Sequence, residues 1–170
     1  MFQIISILAV ALLVFLDRIS KIAAVAAFGA GDTKEFLFGL FQFRYTENTG
    51  AAFSSFADNK SILIVFTALV IILCLFVLLA KKVKEKIPVV CLVLIVSGGI
   101  GNLIDRIAKG YVVDFIEPLF MNFAVFNVAD IFITCGAILL MCYEVATLIR
   151  EKQAGRSGEK EDGKADDNDR

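Results

Sequence analysis

The chain has 170 residues, 58% of them apolar, with a mean hydropathy of +0.79. That composition excludes an ordinary soluble domain and points to a small integral membrane protein. The net charge is -1 and there is no histidine, so Ser-His-Asp and Cys-His catalysis are excluded, a zinc protease site is disfavoured, and no nucleic-acid partner is expected.

The first apolar stretch, Phe2–Phe28, is interrupted by DRISK (Asp17–Lys21). Ala24-Val25-Ala26 resembles a cleavage site, but no basic residue precedes the run and Asp17-Arg18 lies ahead of it, so the segment reads as an uncleaved anchor. Residues 29–60 form a loop. Within it Phe41, Phe43 and Tyr45 alternate with Gln42, Arg44 and Thr46, the period of a strand. Glu47-Asn48-Thr49-Gly50 then supplies turn residues, and Ala51-Ala52-Phe53 is predicted to return as a second strand. A small sheet with an aromatic face is expected on the outer membrane surface.

The second span is Ser61–Ala80. From Ile62 it carries no charge and is long enough to cross a ~30 Å hydrocarbon core at ~1.5 Å per residue. The third, Ile87–Ile107, ends in GNLIDR (Gly101–Arg106), and Gly98, Gly99 and Gly101 permit close helix contact. Loop 108–122 contains YVVDF (Tyr111–Phe115), and the fourth span, Phe123–Ile149, contains FNVAD (Phe126–Asp130) near its start. From Glu151 the sequence is Gly-, Asp-, Glu- and Lys-rich, with almost nothing to bury. Cys74, Cys91, Cys135 and Cys142 lie in apolar stretches and read as small hydrophobes.

Lys81, Lys82, Lys84 and Lys86 crowd the loop between spans two and three, and Arg150 and Lys152 follow span four. By the positive-inside rule these regions are cytoplasmic. Both termini are then cytoplasmic, and loops 29–60 and 108–122 face outward. The expected fold is an all-α polytopic membrane protein with four transmembrane helices and a small extracytoplasmic β-sheet in the first outer loop. Residues 1–150 form one domain and residues 151–170 a disordered cytoplasmic tail.

Helix rise places Asn102 about 23 Å above the inner end of span three, with Arg106 one turn higher on the same face. Asp17 and Lys21 lie at a similar height in span one, and Asn127 and Asp130 in the first turns of span four. These side chains are costly against lipid and should point inward as one layer. Asp114 sits between apolar pairs, Val112-Val113 and Phe115-Ile116, which would seat its loop on the membrane with the carboxylate turned to that layer. Asp114 facing Asp130 suggests two carboxyls sharing a proton, able to activate water and protonate a carbonyl without a covalent intermediate. Other readings remain open at this point. Asp17 with Lys21 and Asp105 with Arg106 can be neutralising pairs, polar residues can glue helices, and transporters place carboxylates at depth. A serine nucleophile at Ser20, Ser54 or Ser97 is disfavoured beside two aspartates.

The motifs DRISK, NTGAAFS (Asn48–Ser54), GGIGNLIDR (Gly98–Arg106), VVDFI (Val112–Ile116) and FNVAD, in this order, closely resemble those of the lipoprotein signal peptidase (signal peptidase II) family of aspartic peptidases in the bacterial cytoplasmic membrane. The resemblance implies a catalytic pair, Asp114 and Asp130. It also implies supporting or substrate-binding roles for Asp17, Lys21, Asn48, Gly50, Asn102, Arg106 and Asn127. It implies removal of the signal peptide from diacylglyceryl-modified prolipoproteins by cleavage before the lipidated cysteine, and inhibition by globomycin-like compounds. The remaining partners are membrane lipids, and neither metal nor cofactor is expected. Phe41, Phe43 or Phe53 is expected to cover the bound peptide.

Overall fold

The computed structural model describes residues 2–50, 60–80, 83 and 85–167. In chain order its elements are α1 (Phe2–Phe28), β1 (Thr33–Phe36), β2 (Phe41–Asn48), α2 (Lys60–Leu79), α3 (Lys86–Lys109), β3 (Val112–Pro118) and α4 (Val128–Asp167). Each helix contains a segment long and apolar enough to cross a membrane: Gln3–Phe28, Ser61–Leu79, Lys86–Lys109 and Val128–Gln153. The fold is a helical polytopic membrane fold with a three-stranded sheet. The return strand expected at Ala51–Phe53 lies outside the described residues, as do Ser54, Lys81, Lys82 and Lys84.

The four helices are not equivalent. In α3, 61% of the apolar window is buried inside the protein, against 17%, 11% and 6% in α1, α2 and α4. Thus α3 is the central helix, and the other three wrap it and present Ile, Leu and Phe side chains outward. Exposed apolar surface on that scale would aggregate in water but is matched by lipid. Val10, Ile71, Leu78, Val89, Leu92, Val93 and Val96 form the core between α1, α2 and α3. Close approach on the remaining faces needs glycine. A Cβ on Gly98 would run into the Ala129 carbonyl of α4, and one on Gly101 into the Asp17 carboxylate of α1.

The sheet has strand order β1-β2-β3, antiparallel throughout. Its third strand comes from the segment between α3 and α4, so this segment and the one between α1 and α2 are joined rather than separate. Between Phe43 and Thr46 the β2–β3 register shifts by one residue, from Phe43↔Ile116 to Thr46↔Asp114. Such a bulge re-aims the side chains beyond it. In unbroken register Tyr45 would lie opposite Asp114 and Asn48 would point to the other face. The shift sets Thr46 opposite Asp114 and brings Asn48, two residues on, to the same face as Asp114. Phe28 of α1 stacks on Phe43 with ring centroids 5.4 Å apart, tying the sheet to the end of the first helix.

Two helix ends differ from expectation. Helix α4 begins at Val128 rather than Phe123 because the backbone of Phe126 bridges to Ile116, its N–H donating at 2.9 Å and its carbonyl accepting at 2.8 Å. At its other end α4 continues past Ile149, the expected end of the fourth span, to Asp167.

Candidate active site

Five elements, α1, β2, α3, β3 and α4, deliver the polar side chains to one end of the bundle. Helix α3 stops at Gly110, whose φ of 80° is left-handed and whose N–H donates to the Arg106 carbonyl. The chain then turns directly into β3, placing Asp114 one short step from Asn102 and Arg106. Helix α4 opens with Asn127 as its cap. The Asn127 N–H donates to Asp130 Oδ2 (3.0 Å) and the Asp130 N–H donates to Asn127 Oδ1 (3.1 Å), a reciprocal capping box.

Both aspartates line one cavity of about 400 Å³, together with Asn48, Asn102 and Arg106. Its apolar wall comes chiefly from Phe123–Phe126 and from Ile131, Thr134 and Cys135 of α4. Asp114 accepts from Asn48 Nδ2 at 2.8 Å and from Asn127 Nδ2 at 2.6 Å. Asp130 accepts from Asn102 Nδ2 at 2.8 Å. Burial raises the Asp114 carboxyl to about 6, the charge of Asp130 adds to the rise, and the two asparagine donors oppose it.

Behind this pair lies a buried charge cluster. Lys21 donates to Asn102 Oδ1 at 2.8 Å and meets the carboxylates of Asp17 and Asp105 at 3.0 and 3.1 Å. Asp17 Oδ1 accepts from the Ala129 N–H at 3.1 Å, fixing the first turn of α4 against α1. Arg106 donates to the Gly50 carbonyl at 3.2 Å, and the Gly50 N–H donates to Asn48 Oδ1 at 3.0 Å. All nine residues singled out from the sequence therefore belong to one linked network of hydrogen bonds and ion pairs. Arg106 and Asn102 share the cavity, as their one-turn spacing requires.

Two readings are corrected. Asp105 does not pair with Arg106, because adjacent residues on a helix point in different directions. It is fully buried and instead meets Arg18 (2.5 Å), Lys21 and Lys109 (3.3 Å), while its Oδ2 also accepts from the Val113 N–H at 3.4 Å. Its i,i+4 spacing to Lys109 was the available signal. Phe41 and Phe43 do not line the cavity: both stack on Phe36 of β1, Phe43 at 4.2 Å centroid to centroid, and Phe43 also stacks on Phe28 of α1. Phe123 and Phe126 line the cavity in their place. Of the serines weighed as nucleophiles, Ser20 donates to the Asp17 carbonyl and Ser97 to that of Val93.

The signal peptidase (SPase) II family model matches residues 9–146, a range that includes both aspartates and all of their partners. The chain belongs to the signal peptidase II family. The lipoprotein signal peptidases of Streptococcus pyogenes serotype M2 (strain MGAS10270) and serotype M1 are each 42% identical to it over 135 residues, which is 79% of this chain and 89% of theirs. Two solved structures of a bacterial membrane enzyme, at 2.3 and 1.9 Å resolution, share the fold with TM-scores of 0.75 and 0.73. They are 27% and 28% identical to this chain, covering 83% and 81% of it and 87% and 90% of their own lengths. As a signal peptidase II family member, the chain is a bacterial membrane peptidase.

Proposed function

We propose that this peptidase removes the signal peptide from diacylglyceryl-modified prolipoproteins, cutting before the lipidated cysteine, and that Asp114 and Asp130 carry the hydrolysis. The observation that carries this reading is the single cavity lined by both carboxyls, bridged through Asn127. Burial and the neighbouring Asp130 charge favour the protonated form of Asp114, so the proposed pair can hold one proton between its carboxyls. The ionised member takes a proton from water as the oxygen attacks the scissile carbonyl. The protonated member gives its proton to the carbonyl oxygen, forming a neutral gem-diol. Collapse returns a proton from the diol to a carboxylate and delivers one to the leaving amine, which becomes the new N-terminus at the lipidated cysteine. Asn48, Asn102 and Asn127 hold the carboxyls in place, and Arg106 contributes positive charge beside them.

The lysines at 81, 82, 84 and 86, with Arg150 and Lys152, support cytoplasmic termini and an outward-facing site in the bacterial inner membrane. That orientation meets a substrate whose acyl chains lie in the outer leaflet, with membrane lipids flanking it. Globomycin-like compounds are expected to compete for the same cavity. Residues 1–150 serve as the catalytic unit, and the tail has no part in the chemistry.

The deciding experiment is mass analysis of a synthetic diacylglyceryl-modified precursor incubated with purified protein in detergent. Wild type should release the signal peptide and Asp130→Asn should not. Release by both, or by neither, would reject the assignment.

A further inference from the structure

The hairpin joining β1 to β2 turns on Leu37-Phe38-Gly39-Leu40, closed by the Leu40 N–H donating to the Leu37 carbonyl at 3.1 Å. Phe38 and Gly39 occupy its two central positions with φ of 59° and 77°, and Leu37 itself has φ of 50°. Left-handed backbone at such positions favours glycine or asparagine and disfavours bulky side chains. Here it carries a leucine and a phenylalanine. Phe38 has nothing to pack on, since its exposure is 104%. Neither turn geometry nor packing within the fold accounts for a phenylalanine there, and contact with water disfavours it.

A second tip lies beside the first. Leu119-Phe120-Met121 follows β3, and the Leu119 N–H donates to the Leu40 carbonyl at 2.9 Å. Phe41 and Phe120 meet edge to face with centroids 5.5 Å apart. Leu37, Leu40, Leu119 and Met121 are exposed, Phe120 is 58% exposed, and neither tip contains a charge. The two tips thus join into one apolar projection, with the Glu35 carboxylate beside Gly39 at its base. It is continuous with the lipid-facing helices through the Phe28–Phe43 stack, and with the mouth of the cavity through Phe123.

We propose that these two tips form a wedge seated in the interfacial layer of the bilayer, with lipid as its partner. An apolar projection at the ends of membrane spans partitions into the headgroup–acyl boundary. Seated there, the wedge fixes the height of β2 and β3, and with them Asn48 and Asp114, relative to the lipid surface. The bilayer becomes a positioning element for the sheet, alongside α1.

The chain has no tryptophan, so single-tryptophan variants report one place each. Full-length Phe38→Trp, Phe120→Trp and Thr33→Trp would be reconstituted into phosphatidylcholine–phosphatidylglycerol vesicles, with bromine at shallow or deep acyl positions. Thr33 starts β1 at the end of the hairpin away from the tip and is exposed. Phe38→Trp and Phe120→Trp should emit blue-shifted and lose roughly half of their intensity to shallow bromines, less to deep ones, as expected about 5–10 Å into the boundary. Thr33→Trp should emit as in water and lose none. Water-like emission from either tip residue would overturn the wedge. So would equal quenching of all three, because the whole sheet would then lie in lipid. The readout needs no turnover, so it stands or falls apart from the proposed cleavage reaction.

Discussion

Asn127 donates to Asp114 through Nδ2 at 2.6 Å and receives the Asp130 backbone N–H on Oδ1 at 3.1 Å, so one side chain fixes the placement of both acids. An amide is suited to this task because it offers a donor and an acceptor from a rigid plane. It also spans the boundary between the sheet and α4, which no covalent connection holds at that point.

Replacing that side chain should separate capping from positioning. Asn127→Ser keeps an acceptor for the Asp130 N–H but loses the bond to Asp114. Cleavage of a lipidated precursor should fall by ~100-fold, since small misplacements of reacting groups are that costly. Asn127→Ala should lose about 1 kcal/mol of stability as well, the usual cost of a missing cap. A serine variant with wild-type turnover would reduce Asn127 to a helix cap.

Asp114→Asn and Asp130→Asn should each lower the cleavage rate by at least ~100-fold while the protein still folds, as expected for acid–base groups acting together. Rates from released peptide, with thermal unfolding in detergent as the folding control, check this. A variant retaining a tenth of the wild-type rate would remove that residue from the pair.

Asp114 yields a signed pH dependence. Its carboxyl is raised to about 6 by burial first and by Asp130 second. In an unfolded chain an aspartate titrates near ~3.9. Between those values the folded state holds the proton more tightly, so the Asp114 contribution to stability is greatest at low pH and is lost as pH rises through about 6. Unfolding midpoints measured across this window should show that slope in the wild type and lack it in Asp114→Asn. Asp130→Asn should shift the slope to lower pH by removing the neighbouring charge.

Lys21 is buried between two carboxylates. Lys21→Met should cost about 3–5 kcal/mol, because it leaves buried charge uncompensated. Asp105 keeps Arg18 and Lys109, whereas Asp17 keeps only the Ala129 N–H among its described partners. Adding Asp17→Asn to Lys21→Met should therefore recover part of the loss. Additive costs in that double-mutant cycle would mean the two side chains are not coupled.

Gly101→Ala places a Cβ against the Asp17 carboxylate. The resulting strain between α1 and α3 should cost about 1–3 kcal/mol, in the range of other overpacked interiors. Turnover should fall with it, since Asp17 anchors the first turn of α4 beside Asp130. Unfolding in detergent and peptide release from the same preparation measure both effects, and an unchanged unfolding midpoint would show that α1 and α3 have room to part.

Much of this protein follows from local sequence rules. Four apolar runs give four spans, and the 3.6-residue period places Asn102 with Arg106 and stacks Lys21 above Asp17. The cost of polar groups in lipid sends them inward to one layer. Two separate acidic motifs then supply the two carboxyls that line the cavity. These inferences succeed because periodicity and burial act on residues close in the chain.

Tertiary structure decided the pairings between segments distant in sequence. One extra residue in β2 turns Asn48 toward Asp114, and unbroken alternation would have pointed it away. Bridging by Phe126 to β3 delays the start of α4 until Asn127 can cap it and reach Asp114. Asp105 gathers cations from α1 and from its own helix instead of its neighbour Arg106. Each of these choices is a balance of contacts between packed elements, and a local period cannot encode it.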